Sequence, residues 1–572
     1  MERSSSMSIS SEAPWLKFYE GIPAHLDYPD KTTYALLADA ARRYPDHIAY
    51  DFMNRTTTYA AVLQRVDAVA RALTALGIGK GDRFTICMPN TPQAVDCFYA
   101  LSKIGAVANM VHPLSAPEEI VFYLNGSHSR GILVLDQFYE KVASIRHRLD
   151  APVAIVVATV ADELSPLMKL GYRLTQKQTK LPLSGYISWR SFLDAGKYTV
   201  LSQDAADADA PAAILYSGGT TGTAKGILLS HRNMNALALQ TIAASGCKDS
   251  IAEMKMLSVM PIFHGFGLGI GIHTALVGGA TCILVPRFGV KIYAKLLLKK
   301  KPNFIPGVPT LFEALLRADG MQKADLSFLV GMFSGGDSLS EELKAKVDRF
   351  LKAHNAKIQI REGYGTTECV TASCLTPVHF AKKGSIGVPF PDTYYKITAV
   401  GTTEELPAGA EGEICISGPT VMLGYLDNPE ETALVLRRHA DGKIWLHTGD
   451  VGYMDTDGFV YFRQRLKRII ITSGYNVYPS QLENVIDRHE KVLQSCVIGV
   501  KDTYKMHKIK AFVVPAPGVA PSQALKEELF AYCRQCIAKY AMPYEIEFRT
   551  ELPKTLVGKV DYRKLEAEEE AS

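Results

Sequence analysis

The sequence predicts an α/β protein with parallel sheets carrying helices on their faces, then a β-rich unit, then a mixed α+β end. Three observations carry this: strand-like apolar runs alternate with helical patterns through most of the chain, helices thin out after about Gly363, and the mixture returns from about Leu466. Near the start, Val62, Val66, Val69, Leu73 and Leu76 recur at steps of three and four, one apolar helical face that stops at Gly77. RFTICMPN from Arg83 then reads as a strand, Ala94–Ile104 as a helix and AVANMVHP from Ala106 as a strand, the pattern of a βαβ crossover. The rhythm resumes after Ala210 with the strand-like runs AAILY, LSVMP, ATCILV, NFIPGV and LVGMFS. TYYKITAV, GEICISG and GFVYF are turn-bounded and suggest a small barrel-like unit. At the C-terminal end VIGV and IKAFVV read as strands, Ser522–Tyr540 as a helix and YEIEFR as a last strand.

Composition bounds the function classes. A chain of 572 residues holds about three to five domains at roughly 100–200 residues each. Its net charge of +4, from 63 basic and 59 acidic residues, gives no case for a nucleic-acid binder. The ten cysteines are scattered, most in apolar runs, as suits a reducing compartment. Cys533 and Cys536 have CxxC spacing without a second pair nearby, so helix packing is the expectation and no metal is. The N-terminal stretch has no apolar core for secretion. Leu268–Val285 approaches the length of a membrane span, but His273, Thr274 and Gly278–Gly279 interrupt it, so a buried helix, a glycine turn and a strand are expected. The reading is a cytoplasmic protein without a transmembrane segment.

Chemistry concentrates in loops. After the strand AAILY comes Tyr216-Ser217-Gly218-Gly219-Thr220-Thr221-Gly222-Thr223-Ala224-Lys225-Gly226. Its glycines leave backbone N–H groups uncovered, its hydroxyls add donors and Lys225 adds charge, a composition suited to cradling phosphates. It is not a Walker A loop, because Ala precedes Lys225 and Gly follows it. GFGLGIG satisfies GxGxxG in no register, and no GxSxG elbow occurs. In Glu362-Gly363-Tyr364-Gly365-Thr366-Thr367-Glu368 an aromatic ring between glycines suits stacking on a purine, and Glu368 offers a hard oxygen ligand for magnesium. Asp450, in LHTGD, suits a ribose diol; Arg465 and Lys467 mark a β-like region giving way to a new domain; Lys559 ends PKTLVGK. Each motif alone reads as structural. Together they supply partners for phosphate, purine, metal, ribose and a transferring oxygen.

That set and order resemble the adenylate-forming superfamily of acyl-CoA synthetases, adenylation domains and beetle-type luciferases, from about Trp15 to Leu565. Within it the chain looks most like long-chain-fatty-acid–CoA ligases of bacterial type, on GGTTGTAKG, GSIGVPFP, GPTVMLGYLDNPEET and WLHTGDVGYMDTDGF. The resemblance implies an N-terminal domain over 1–465, made of two stacked doubly wound αβ subdomains plus a small β-barrel subdomain, and a small mobile α+β domain over 466–572. It implies ATP-dependent activation of a medium- or long-chain acid to an acyl-adenylate, then transfer to coenzyme A. ATP, Mg2+ and CoA are the implied cofactors.

By the same resemblance Ser217 to Lys225 would close over the ATP phosphates, and Tyr364 would stack on adenine beside Gly335, Gly336, Glu362, Gly363 and Gly365. Thr367 would contact the α-phosphate, Glu368 would hold magnesium, and Asp450 would grip the ribose with Arg465. Lys559 would contact the carboxylate and α-phosphate, Lys467 would mark the hinge, Gly474 would approach the pantetheine, and His264 would stand beside the acyl site. Family members usually carry Asp where Gln464 and Arg468 stand, and often Gly-Glu where Met506-His507 stand. The alternatives are an aryl or other bulky acid, or a carrier-protein thiol as acceptor; a non-catalytic binder is disfavoured by Lys225, Glu368 and Lys559 together. The protein would be a monomer or homodimer, and LMKLGYRLTQKQTK from Leu167 reads either as peripheral contact at the inner membrane face or as an exposed helix with a solvated face.

Overall fold

A computed structural model describes all residues except 1–12, 176–178, 180, 202–206, 218–223, 248–249, 288, 473–474, 503–505, 556–558 and 572. Arg83–Cys87, Val107–Met110, Gly131–Leu135 and Ala154–Ala158 form the parallel centre of an eight-stranded sheet. They are almost wholly buried, because helices cover both faces, and so they read as unbroken apolar runs. Lys255–Ser258, Thr281–Leu284, Phe304–Gly307, Gly331–Ser334 and Ile360–Tyr364 run parallel within a nine-stranded sheet. One apolar cluster spans both units. Buried Asn90 ties them, its Nδ2 donating to Ser258 O and Met260 O, both at 2.8 Å.

Helix Tyr59–Ala75 buries Val62, Val66, Val69 and Leu73, the face its spacing predicts. Across Leu268–Val285, the stretch that approaches the length of a membrane span, a π-helix (Phe266–Thr274) runs through a short helical turn to Gly279, at φ 80°, and then to strand Thr281–Leu284. Among the described residues no helix is long and apolar enough to cross a membrane. The phosphate-cradle motif differs from a strand–loop–helix unit: Lys225–Ser230 is a strand antiparallel to Pro211–Ser217, with Ser217 opposite Lys225. The motif therefore joins the two strands of a hairpin.

The β-rich unit is a five-stranded antiparallel sheet containing Tyr394–Thr398, Gly412–Ser417, Ile444–Met454 and Val460–Arg465. Beyond the short helical turn Leu466–Arg468, the C-terminal region packs Val492–Asp502, Met506–Pro515 and Glu545–Phe548 against helices that include Gln523–Cys536. It has apolar clusters of its own, around Ile486, Val497 and Leu529 and around Ile498, Phe512 and Leu565. The helix expected over 522–540 ends at Cys536; Cys533 is buried and Cys536 exposed.

Candidate functional site

Three elements aim side chains at one point. Strand Gly331–Ser334 leads into Gly335 and Gly336; strand Ile360–Tyr364 ends on Tyr364; and Ile444–Met454 pairs with Val460–Arg465 so that Asp450 lies directly opposite Arg465. The Tyr364 hydroxyl donates to Asp450 Oδ2 at 2.6 Å, and the Tyr364 ring lies tilted 5.9 Å from that of Phe462. Arg465 Nε stands 3.2 Å from Asp450 Oδ1, an ion pair outside hydrogen-bond geometry, so buried Oδ1 has no hydrogen-bond donor. Burial raises the Asp450 carboxyl pKa, and Arg465 and Tyr364 oppose the rise.

The stretch of strand carrying Asp450 is held by its neighbour. Glu413, on the neighbouring strand, accepts from Gly449 N at 3.0 Å through Oε1 and meets His447 Nδ1 at 2.9 Å through Oε2. Gly449 takes φ 70°, which glycine adopts without strain.

Lys559 reaches this site from the C-terminal region. Its Cε lies 3.7 Å from where a side chain on Gly336 would begin, so the lysine packs against that glycine. Burial lowers the Lys559 pKa, Asp337 and Asp450 raise it, and Arg465 lowers it. His264 faces the same charge: burial and the nearby Lys559 push it down to about 3, which leaves it neutral at pH 7. Its Nδ1 accepts from Phe266 N at 3.1 Å, so Nε2 carries the proton. Glu362 accepts from Leu339 N at 3.1 Å, and burial raises its carboxyl to about 7.

A second cluster adjoins the first. Glu368 Oε1 accepts from the Tyr425 hydroxyl at 3.0 Å. Lys225 stands 4.9 Å from the Tyr425 ring centre and pairs with Glu431. Glu368 also acts electrostatically on Asp450 and Arg465, which joins the clusters. Thr367 opens the short turn Thr367–Cys369, which leads to Val370 at φ 66°, a left-handed conformation strained for a β-branched residue.

Beside the first cluster lies a cavity that opens partly to solvent. Its walls are mostly apolar, with Phe266, Ile270, Phe333, Leu375 and Phe390; Gly335, Gly336 and Gly363 also line it, and Gly336 adjoins Lys559.

Of the residues expected from sequence, Gly335, Gly336, Glu362, Gly363, Tyr364, Asp450, Arg465, His264 and Lys559 gather at the first cluster, and Lys225 and Glu368 at the second. Ser217 and Lys225 end the hairpin strands, while Gly218, Gly219, Thr220, Thr221, Gly222 and Gly474 lie outside the described residues. Gly365 is fixed by packing, since a Cβ there would sit 2.2 Å from Thr371 O. Lys467 is exposed on the turn between the two regions. Gln464 and Arg468, the departures flanking it, are both engaged: Ser480 Oγ donates to Gln464 Oε1 at 2.6 Å, and Arg468 pairs with Glu483 and lies 4.7 Å from the Tyr562 ring centre. Tyr425, Glu431 and Glu413 were not foreseen. Tyr425 and Glu431 lie inside GPTVMLGYLDNPEET, so the signal was present without a role attached.

Residues 37–426 match the AMP-binding enzyme family and residues 481–559 its C-terminal domain. The chain belongs to the AMP-binding enzyme family. It is 37% identical to a long-chain-fatty-acid–CoA ligase of Bacillus subtilis (strain 168), covering 98% of this chain and 99% of that one. Among solved structures, an anthranilate CoA ligase in complex with anthranoyl-AMP superposes with TM-score 0.81 at 25% identity, covering 95% of this chain and 98% of that one. An ATP-bound chimera of RpMatB and BxBclM gives TM-score 0.81 at 26% identity, covering 94% and 99%.

Proposed function

We propose that this enzyme activates a medium- or long-chain fatty acid with ATP, releasing pyrophosphate, and transfers the acyl group to coenzyme A, releasing AMP. The observation that carries this is the placing of Lys559 at the mouth of an apolar cavity, beside Asp450 and Tyr364. The cavity takes the aliphatic chain, and its edge at Gly335 and Gly336 holds the carboxylate next to the lysine. Asp450 Oδ1, an acceptor without a donor, takes a ribose hydroxyl, and Tyr364 offers its ring to adenine. The glycines, hydroxyls and Lys225 of the sequence from Ser217 to Lys225 suit the phosphates by composition.

The carboxylate attacks the α-phosphorus, forming the acyl–phosphate bond as the bond to pyrophosphate breaks. Negative charge grows on the transferring oxygens, and the Lys559 ammonium stabilises it there. Thr367 donates to the α-phosphate. Neutral His264 places an N–H beside the acyl site without adding a second positive charge next to Lys559. Glu368 fits magnesium, which is commonly bound by one carboxylate together with substrate phosphates, and the ion would offset phosphate charge. No protein nucleophile is required.

The second half-reaction needs CoA where Lys559 now stands. We assign 1–465 to the adenylating body and 466–572 to a mobile unit, with Lys467 as the hinge and the loop at Gly474 entering to meet the pantetheine. Separate apolar clusters on either side of the turn support this division. The enzyme works in the cytoplasm as a monomer or homodimer, with helix Pro166–Thr175 resting on the inner membrane face where fatty acids partition. Exposed Leu167 and Leu170 support that contact.

Pyrophosphate release across a panel of aliphatic and aryl acids, with and without CoA, tests the reading. Release that depends on acid and peaks at one aliphatic chain length is expected; release independent of the acid would defeat it, and an aryl optimum would replace the fatty acid by the bulkier class.

A further inference from the structure

The acyl cavity is apolar but for a few hydroxyls, and two of them are out of place. Thr241 is 8% exposed and Ser334 1%, both line the cavity, and neither hydroxyl has a hydrogen-bond partner. Thr241 sits in the last turn of helix His231–Ala243. A threonine there ordinarily bonds the carbonyl four residues back, which would be Leu237. Elsewhere in this protein that bond is made: Thr74 Oγ1 donates to Ala70 O at 3.0 Å, and Thr432 Oγ1 to Asn428 O at 2.8 Å. Thr241 stays on the cavity wall with its hydroxyl unspent.

A buried hydroxyl without a partner is costly, and a methyl group in its place would suit an alkyl chain better. Such a group is retained at little cost only when the ligand completes the bond. Ser334 directly precedes Gly335, at the edge near Lys559, so the carboxyl end of the acid lies within its reach. Thr241 belongs to a different element, helix His231–Ala243, and lines the same cavity. We infer that Thr241 is a specificity-determining residue, and that the preferred acid carries a hydroxyl or oxo oxygen along its aliphatic chain, bonded by the Thr241 hydroxyl. A hydroxyl both donates and accepts, so either oxygen satisfies it. The remaining walls contact the methylenes on either side. This rests on the ligase reading above and names the class of acid within it.

The discrimination is a ratio. A site built to hydrogen-bond a substrate oxygen rejects the analogue that lacks it far more strongly than an apolar pocket rejects one extra methylene. The test compares dodecanoate with its hydroxy isomers, substituted at successive carbons, by kcat/KM for pyrophosphate release in the wild type and in Thr241→Val. At least one isomer should exceed dodecanoate by about tenfold or more in the wild type, and that ratio should fall to near one in T241V. The melting temperature of T241V without ligand should equal or exceed that of the wild type. No favoured isomer, a preference that survives T241V, or a T241V protein that melts several degrees lower because the hydroxyl supports the fold would each overturn the inference. Calorimetric binding of the same acids separates this from failure of the ligase reading: acids that bind with the predicted preference but release no pyrophosphate refute the reaction and leave the recognition standing.

Discussion

At the scale of single residues, the site depends on groups held in states they would not keep in water. Lys559 is stripped of much of its hydration, and Asp337, Asp450 and Arg465 set its charge balance. Its partner should therefore be charge that appears during the reaction, at the α-phosphate, and this separates it from residues that only bind. Lys559→Ala is expected to slow adenylation by about a hundredfold or more, the loss typical when one donor to a developing oxyanion is removed. Thioester formation from supplied acyl-adenylate should be largely spared, because that step begins with the phosphoryl chemistry complete. Single-turnover rates of the two half-reactions check it, and equal loss in both would remove the assigned role.

At the scale of elements, legibility followed burial. Parallel strands such as Arg83–Cys87 and Gly331–Ser334 were readable because both of their faces are covered and the sequence writes that as an apolar run. The hairpin partner Lys225–Ser230 was not, because half of it is only partly buried and a glycine-rich loop precedes it. The motifs of the site were also readable, since glycine, tyrosine and carboxylate lie close in sequence. Their supports, Glu413 and Tyr425, were not, because each reaches its partner from a segment far away in sequence. Least legible was the π-helix Phe266–Thr274. GFGLGIG makes no nucleotide fingerprint, and the structure supplies another reason for its glycines. A Cβ on Gly265 would sit 1.8 Å from Val370 O, one on Gly267 2.0 Å from Pro261 O, and one on Gly269 2.7 Å from Leu237 Cδ2. Missing side chains let three segments close around the cavity wall, and the strained Val370 turn beside Glu368 is pressed against the first of them. Gly265→Ala has no flexible neighbour to displace, only backbone. It should destabilise the fold by about 3 kcal/mol or more, at the upper end of overpacking costs. A urea titration should show a lower midpoint with unchanged slope; a midpoint equal to the wild type would mean the turn yields freely.

At the scale of the whole molecule, the proposed reaction needs two arrangements, and the one seen, with Lys559 beside Gly336 and near Asp450, suits adenylation. Two regions with separate apolar clusters meet through polar contacts that are easily remade, such as Ser480 on Gln464 and Arg488 with Glu341 at 3.4 Å. Interfaces of that kind permit domain motion. The turn Leu466–Arg468 between them is the place to stop it. Proline fixes φ near −65°, inside the range of a 3₁₀ turn, so Lys467→Pro should hold the present arrangement. Adenylation should then survive while thioester formation falls by an order of magnitude or more. The motion itself is measurable with a donor dye at Thr402 and an acceptor at Gln523, both exposed and on opposite sides of the turn, with Cys247 and Cys536 replaced by serine. In the wild type, adding CoA to enzyme loaded with acyl-adenylate should change the transfer efficiency; in K467P it should not. A change of equal size in both proteins would place the pivot elsewhere, and no change in either would mean that the two half-reactions share one arrangement, with Lys559 yielding to the thiol by side-chain movement alone.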